Sequence, residues 1–355
     1  MRSLSTGTVE DPYSASFHKS HGRFPDGAPL VEGLRMTQPD TPFAHRPVMV
    51  DEVVAFLAAV PAVAGGLIVD GTVGGGGHAS ALLDARPDLE LLGVDRDDAA
   101  LEAAARTLAR FGDRVGLIRD RFDRLSHHVG DRPVVGVLLD LGVSSPQFDR
   151  SERGFSYRMD AALDMRMDRR QPLTAATVIN EYDESTLARL FLESGERRFA
   201  RRIASRIVAA RPIETTLALV DVVRAAIPAA ARRTGGHPAK KVFQALRIEV
   251  NGELDVLGPA VDGAIEVLVP GGRCVILSYH SGEDKLVKQH FLDAFTGGCV
   301  CPPGLPCVCG AVPKVKLLTR GARMPLPAEV TANPRAESAR LRAVEKLAIV
   351  TEDRP

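Results

Sequence analysis

Short apolar runs bounded by turn residues recur along the chain at 67–70, 91–95, 115–118, 134–139 and 273–278. Their brevity and their content of Val, Ile and Leu predict buried strands. Between the first four lie helix-like stretches, such as 97–111, where Ala, Leu and Arg follow an acidic first turn. Strand and helix alternate, which predicts an α/β fold: a parallel sheet covered on both faces, with ligands at the carboxyl ends of the strands.

The rhythm breaks after Leu141, because about 130 residues pass before the fifth run. Within the gap, 186–191, 197–210 and 217–227 carry apolar residues at helical spacing with Arg between them. We therefore expect an inserted small helical domain at 150–240 and a main domain formed by 43–149 and 241–350. The main domain should resume with one helix across 242–268, stopped by Pro270-Gly271-Gly272, and end with a pair of strands at 315–318 and 341–347. Residues 1–42 are rich in Ser, Gly, Pro and His and read as a disordered leader outside the fold.

A chain of 355 residues, 45% hydrophobic and 25% charged, suits a soluble two-part protein, and no apolar run reaches the ~20 residues of a membrane span. Net charge is zero but uneven: 150–247 holds 19 Lys and Arg against 11 Asp and Glu, leaving the remainder acidic. A local basic module suits a polyanionic partner, although such arginines also serve as a solvated helix face. Of the five cysteines, Cys274 stands alone, and Cys299, Cys301, Cys307 and Cys309 crowd one Pro/Gly-rich segment. That is not a disulfide framework, and it points to the reducing cytoplasm. The four clustered thiols can form a tetrahedral zinc site, yet single-residue spacing is tighter than most structural zinc pairs, so free thiols remain the alternative.

Candidate chemistry begins where the first strand enters Asp70-Gly71-Thr72-Val73-Gly74-Gly75-Gly76-Gly77-His78. Consecutive glycines allow positive φ and close approach of backbone to a ligand. Asp95, ending the second strand, is placed to accept both hydroxyls of a ribose. A nucleoside-bearing cofactor follows, and the bare pattern also fits an NAD-dependent oxidoreductase. Asp70 discriminates, because a carboxylate there would face pyrophosphate, whereas the ammonium and sulfonium of S-adenosylmethionine suit it. The same residues also make a tight turn with Asp70 as a helix cap. The fourth strand delivers Asp140 ahead of Ser144-Ser145-Pro146-Gln147, where a reacting amine would meet the cofactor's methyl group. Asp140, Ser144, Ser145 and Pro146 are the catalytic candidates; a turn that merely ends the strand is the alternative.

The chain resembles the ribosomal small-subunit RNA cytosine-N4 methyltransferases, the RsmH or MraW family, from His45 to its C-terminus. The resemblance rests on His45-Arg46-Pro47-Val48-Met49, the glycine loop, Gly93-Val94-Asp95-Arg96-Asp97, Asp140-Leu141-Gly142-Val143-Ser144-Ser145-Pro146-Gln147, Arg153-Gly154-Phe155-Ser156 and Leu163-Asp164-Met165-Arg166-Met167-Asp168. Gly195-Glu196-Arg197-Arg198-Phe199-Ala200, Phe243-Gln244-Ala245-Leu246-Arg247-Ile248 and Ser278-Tyr279-His280-Ser281 extend it. It implies a Rossmann-like, S-adenosylmethionine-dependent fold whose cofactor contacts include Gly75, Gly76, Gly77, His78, Asp95, Phe122, Asp140 and Gln147. The implied substrate is the N4 amine of decoding-centre cytidine 1402 of 16S rRNA, in the small ribosomal subunit. Two departures stand out: Tyr279 where the family usually has Phe, and Gly282 in place of Leu.

Substrate contacts are expected from His280 and Ser281, which follow the fifth strand, and from Arg197 and Arg201 in the basic module. A histidine serving only its own loop is the alternative for His280. The rival to catalysis is a non-catalytic ribosome assembly or RNA-binding factor.

Overall fold

The computed structural model describes residues 46–142, 153–232, 237–302 and 308–348. Helix α1 (Val50–Leu57) leads into β1 (Leu67–Asp70), α2 (Gly77–Ala85), β2 (Glu90–Asp95), α3 (Asp98–Leu108), β3 (Val115–Arg119), the short α4 (Ser126–Val129) and β4 (Val134–Asp140). The insertion contributes α5 (Ala175–Glu181), α6 (Glu184–Glu193), α7 (Ala200–Ala209), α8 (Thr216–Ala226) and α9 (Ala229–Arg232). After it come α10 (Lys240–Asn251), α11 (Glu253–Val267), β5 (Leu268–Ser278), α12 (Ser281–Thr296), β6 (Val315–Leu317), α13 (Pro327–Ala332) and β7 (Arg340–Lys346).

The sheet runs β3-β2-β1-β4-β5-β7-β6. Strands β1 to β5 are parallel, β7 runs antiparallel to β5, and β6 is antiparallel to β7, so the expected closing pair is present. Chain order reverses between β1 and β4, which opens the crevice where open α/β sheets bind ligands. All four residues of β1 and six of the seven in β4 are buried, as apolar strands covered on both faces require. One core layer joins Val53, Leu57, Ile68, Leu82 and Leu138 beneath α1 to α3. The opposite layer joins Val69, Leu139, Leu257, Ile265 and Ile276 beneath α11.

The single helix expected across 242–268 is two helices. Gly252 takes φ +58 and ends α10, and α11 starts at Glu253. The buried Asn251 side chain holds the junction by donating to Met165 O and Arg247 O and accepting from Met167 N. The break sends α10 and α11 to different cores: Val242, Phe243, Leu246 and Val250 pack with Leu187, Phe191, Ile203 and Leu219 of the insertion. The helical core thus continues past residue 240 to the end of α10. Strand β5 likewise starts at Leu268 rather than Arg273, since Pro270-Gly271-Gly272 is absorbed as a register shift opposite Val134 and Gly136. Among the described residues no helix is long and apolar enough to cross a membrane.

Candidate active site

Parallel strands place their carboxyl ends together, so β1, β2 and β4 deliver Asp70, Asp95 and Asp140 to one crevice. The glycine loop folds over them. Gly74 and Gly76 adopt φ +51 and +80, conformations that carry no Cβ penalty only in glycine. A Cβ on Gly77 would lie 2.5 Å from Pro47 Cγ, and one on Gly71 would lie 2.6 Å from Leu139 Cδ2, so the loop is fixed by close packing on those sides. A Cβ on Gly75 would meet nothing within 4 Å, which marks the side that faces open space.

Hydrogen bonds fix each carboxylate. Asp70 Oδ1 accepts from Thr72 N at 3.1 Å. The N-cap of helix α2 is instead Gly76, with no side-chain cap, so Asp70 is not that helix's cap. Asp95 accepts from Gly74 N at 3.0 Å and Asp97 N at 2.9 Å, one amide on each oxygen. Asp97 caps α3 through Ala99 N and pairs with buried Arg153 at 3.1 Å, tying the insertion to the sheet. Burial pushes the Asp70 carboxyl up to about 8, with Thr72 opposing and Asp140 and Asp95 adding. Burial likewise pushes Asp95 to about 6, against the amides of Asp97 and Gly74.

Asp140 is held from three directions. Its amide donates to Thr72 Oγ1, Tyr279 Oη donates to its Oδ1 at 2.7 Å, and His78 Nδ1 lies 3.5 Å from its Oδ2. His78 Nε2 is 2.9 Å from Val48 O, and because a carbonyl only accepts, Nε2 carries the proton. Nδ1 of the neutral ring is then a bare acceptor, so a proton must lie on Nδ1 or Oδ2 for the pair to attract. Burial raises the Asp140 carboxyl above the usual range, while His78 and Tyr279 pull it back.

Behind this site, His280 caps α12: Nδ1 accepts from Glu283 N at 3.3 Å, and Glu283 accepts from Tyr279 N at 2.8 Å and His280 N at 3.3 Å. Because Nδ1 accepts, the ring proton lies on Nε2, which sits 3.0 Å from Glu283 Oε1 but outside hydrogen-bond geometry. Burial raises Glu283, yet His280, Arg247 and the Tyr279 amide outweigh it and hold the carboxyl below its ordinary value. His280 thus caps its own helix through Nδ1 and turns Nε2 toward Glu283. Ser281 opens α12 beside it. Phe122 is half-buried after β3, 3.2 Å from where a Gly71 Cβ would stand. Arg197 and Arg201 are exposed at and before the start of α7, in the insertion rather than the crevice.

Ser144, Ser145, Pro146 and Gln147 lie outside the described residues, as does Cys307. Three parts of the site escaped the sequence. The Tyr279 hydroxyl on Asp140, the approach of Arg247 to Glu283 and the Arg153–Asp97 pair join residues far apart in the chain. Only the Tyr-for-Phe departure pointed to any of them.

Residues 42–347 match the MraW methylase family. The ribosomal RNA small subunit methyltransferase H of Symbiobacterium thermophilum is 52% identical over 314 residues, covering 86% of this chain and 97% of that protein. Its counterpart in Thermobifida fusca is 53% identical over 310 residues, covering 85% and 93%. A solved rRNA methylase of Streptococcus thermophilus aligns at 14% identity over 87% of this chain and 100% of its own, with a TM-score of 0.36, too loose to add to the assignment. On the match from residue 42 to 347, the chain belongs to the MraW methylase family.

Proposed function

We propose that this protein transfers the methyl group of S-adenosylmethionine to the exocyclic N4 amine of cytidine 1402 of 16S rRNA, in the decoding centre of the small ribosomal subunit. The observation that carries the reading is the convergence of Asp70, Asp95 and Asp140 on one glycine-lined crevice. A cation brought among three buried carboxyls draws them toward their ionised forms and is held by them, whereas phosphate finds no positive partner in this cluster. They suit an ammonium- and sulfonium-bearing nucleoside and oppose the pyrophosphate of a nicotinamide cofactor. The open side of Gly75 admits backbone contact, the free lone pairs of Asp95 suit ribose hydroxyls, and Phe122 offers an apolar wall for the adenine.

Bound in this crevice, S-adenosylmethionine supplies an electrophilic methyl group with a neutral thioether leaving group. The protein's share is positioning, since an in-line displacement needs the amine ~3 Å from the carbon. Asp140 Oδ1 and Oδ2 are the acceptors for the amine's N–H groups, which frees the lone pair otherwise conjugated with the ring. Tyr279 holds Oδ1 in place, and the proton that the methylated amine sheds passes to Oδ2 of the ionised Asp140, where the neighbouring Nδ1 of His78 shares it. Arg197 and Arg201, on the basic insertion, contact rRNA phosphates. The compartment is the cytoplasm, where the small subunit is found.

Incubating the protein with methyl-labelled S-adenosylmethionine and isolated small subunits tests this reading. Label should appear in 16S rRNA and digest to N4-methylcytidine. Cofactor binding without any label transfer would instead identify a non-catalytic assembly factor.

A further inference from the structure

We propose that Cys299, Cys301 and Cys309 bind a zinc ion that clips the segment between α12 and β6 into a closed knuckle. The three thiol sulfurs converge, all within 4.8 Å of one another, although Cys309 lies eight residues beyond the first pair. Cys309 Sγ is 3.7 Å from Cys299 Sγ. Two thiolates on a tetrahedral zinc, with Zn–S of ~2.3 Å, stand about 3.8 Å apart, whereas a disulfide would bring them to ~2.05 Å. A thiol–thiol hydrogen bond has this spacing too, and it suits two ligands of a common ion without rearrangement. The single residue between Cys299 and Cys301 is no obstacle, since both sulfurs already face the third. Val308 N donates to Cys301 Sγ at 3.4 Å, the kind of amide contact that orients and stabilises a metal-bound thiolate.

The surroundings show what the ion would hold. Helix α12 ends at Gly297 in the left-handed conformation, and Gly298 N and Cys299 N bond back to Asp293 O and Thr296 O. The chain then returns: a Cβ on Gly297 would lie 2.4 Å from the Val312 backbone, and Lys314 N donates to Ala294 O at 2.8 Å. The two ends of the segment are therefore anchored beside each other, while Val300 and Val308 between them are 85% and 89% exposed. Val300 and Val308 bury little on either side of the loop, and zinc supplies a cross-link between these two described arms. Thiolates from both sides of the loop provide three of the four positions of a tetrahedral site. The knuckle lies at the far end of α12 from His280, about 24 Å along a 16-residue helix. It organises the outer strand β6 and takes no part in methyl transfer.

The test is elemental analysis of the untagged full-length protein, purified under reducing conditions without added metal. About one equivalent of zinc is expected, falling to background in Cys299→Ser and Cys309→Ser and retained in Cys274→Ala, whose thiol is buried in β5. Cobalt exchanged into the wild type should show the visible ligand-field and thiolate charge-transfer bands of a tetrahedral site, absent from Cys309→Ser. Chelation should also open the 299–309 segment to limited proteolysis while the rest of the chain stays resistant. Zinc well below one equivalent with freely titrating thiols, or a Cys299–Cys309 disulfide in peptide mapping, overturns the proposal. Chelation that removes zinc and leaves cleavage of the segment unchanged overturns the clip.

Discussion

Burial holds the Asp70 carboxyl at about 8, far above the ~3.9 of an unfolded chain. The folded protein therefore retains a proton that the unfolded chain releases, and this group lowers stability progressively as pH rises from about 4 to 8. Asp70→Asn removes the ionisation but keeps an acceptor for Thr72 N. Its melting temperature should match the wild type at or below about pH 4 and exceed it increasingly up to about pH 8.5; a difference independent of pH would contradict the assignment. Asp95 should be read by calorimetry instead. As a charged acceptor it is worth ~1.5–3 kcal/mol, so Asp95→Ala should weaken S-adenosylmethionine binding roughly ten- to a hundredfold, and an unchanged Kd would remove it from the site. At Tyr279, the hydroxyl bonded to Asp140 helps keep that carboxyl ionised. Tyr279→Phe should stay active, as the family's usual residue implies. It should also move the acidic limb of the kcat/KM profile to higher pH, because Asp140 loses a donor that favours its charged form. Superimposable profiles would show that the hydroxyl does not act through Asp140.

Within one pair of helices, two glycines give opposite expectations. Gly252, between α10 and α11, has φ +58 and open space around its Cβ position. Alanine there meets no neighbour but adopts a left-handed backbone, so Gly252→Ala should destabilise the protein by about 1 kcal/mol. Gly263, inside α11, also has open space and no positive φ, so Gly263→Ala should stabilise by roughly 0.5–1 kcal/mol. Denaturant midpoints measure both, and equal signs would refute the backbone argument. The same junction shows why elements differed in legibility. Strands β1 and β4 announce themselves through local apolar runs, and α3 through its Asp97 cap and periodic face. The break at Gly252 carried a local signal, the Asn251-Gly252 pair that favours a left-handed helix end, whereas the bonds from Asn251 to Met165 and Met167 that hold the junction reach far away in sequence. In the candidate site, the glycine loop and the three strand-end aspartates were readable for the same local reason. Tyr279 on Asp140 and Glu283 beside Arg247 were not, since each needs the strands already assembled.

Across the whole molecule, an acidic sheet domain carries the crevice and a basic helical insertion stands beside it. The uneven charge was visible in the sequence, but the attachment was not. Arg153 to Asp97 and Arg96 to Asn251 O link the two parts. If the insertion engages rRNA phosphates, binding to small subunits should weaken steeply with salt. Arg197→Ala combined with Arg201→Ala should then reduce the slope of log K against log salt by up to about 2. An unaltered slope would make those arginines a solvated face. The central claim is that Asp140 and its crevice deliver a methyl group to N4 of one decoding-centre cytidine. The most direct measurement is mass spectrometry of the 16S rRNA fragment containing position 1402, taken from cells lacking the gene and from cells complemented with wild type or Asp140→Ala. The account predicts that the methyl group at N4 is lost in the deletion, restored by the wild type and absent with Asp140→Ala, although that variant is folded. An N4-methylated cytidine in the deletion strain would contradict it.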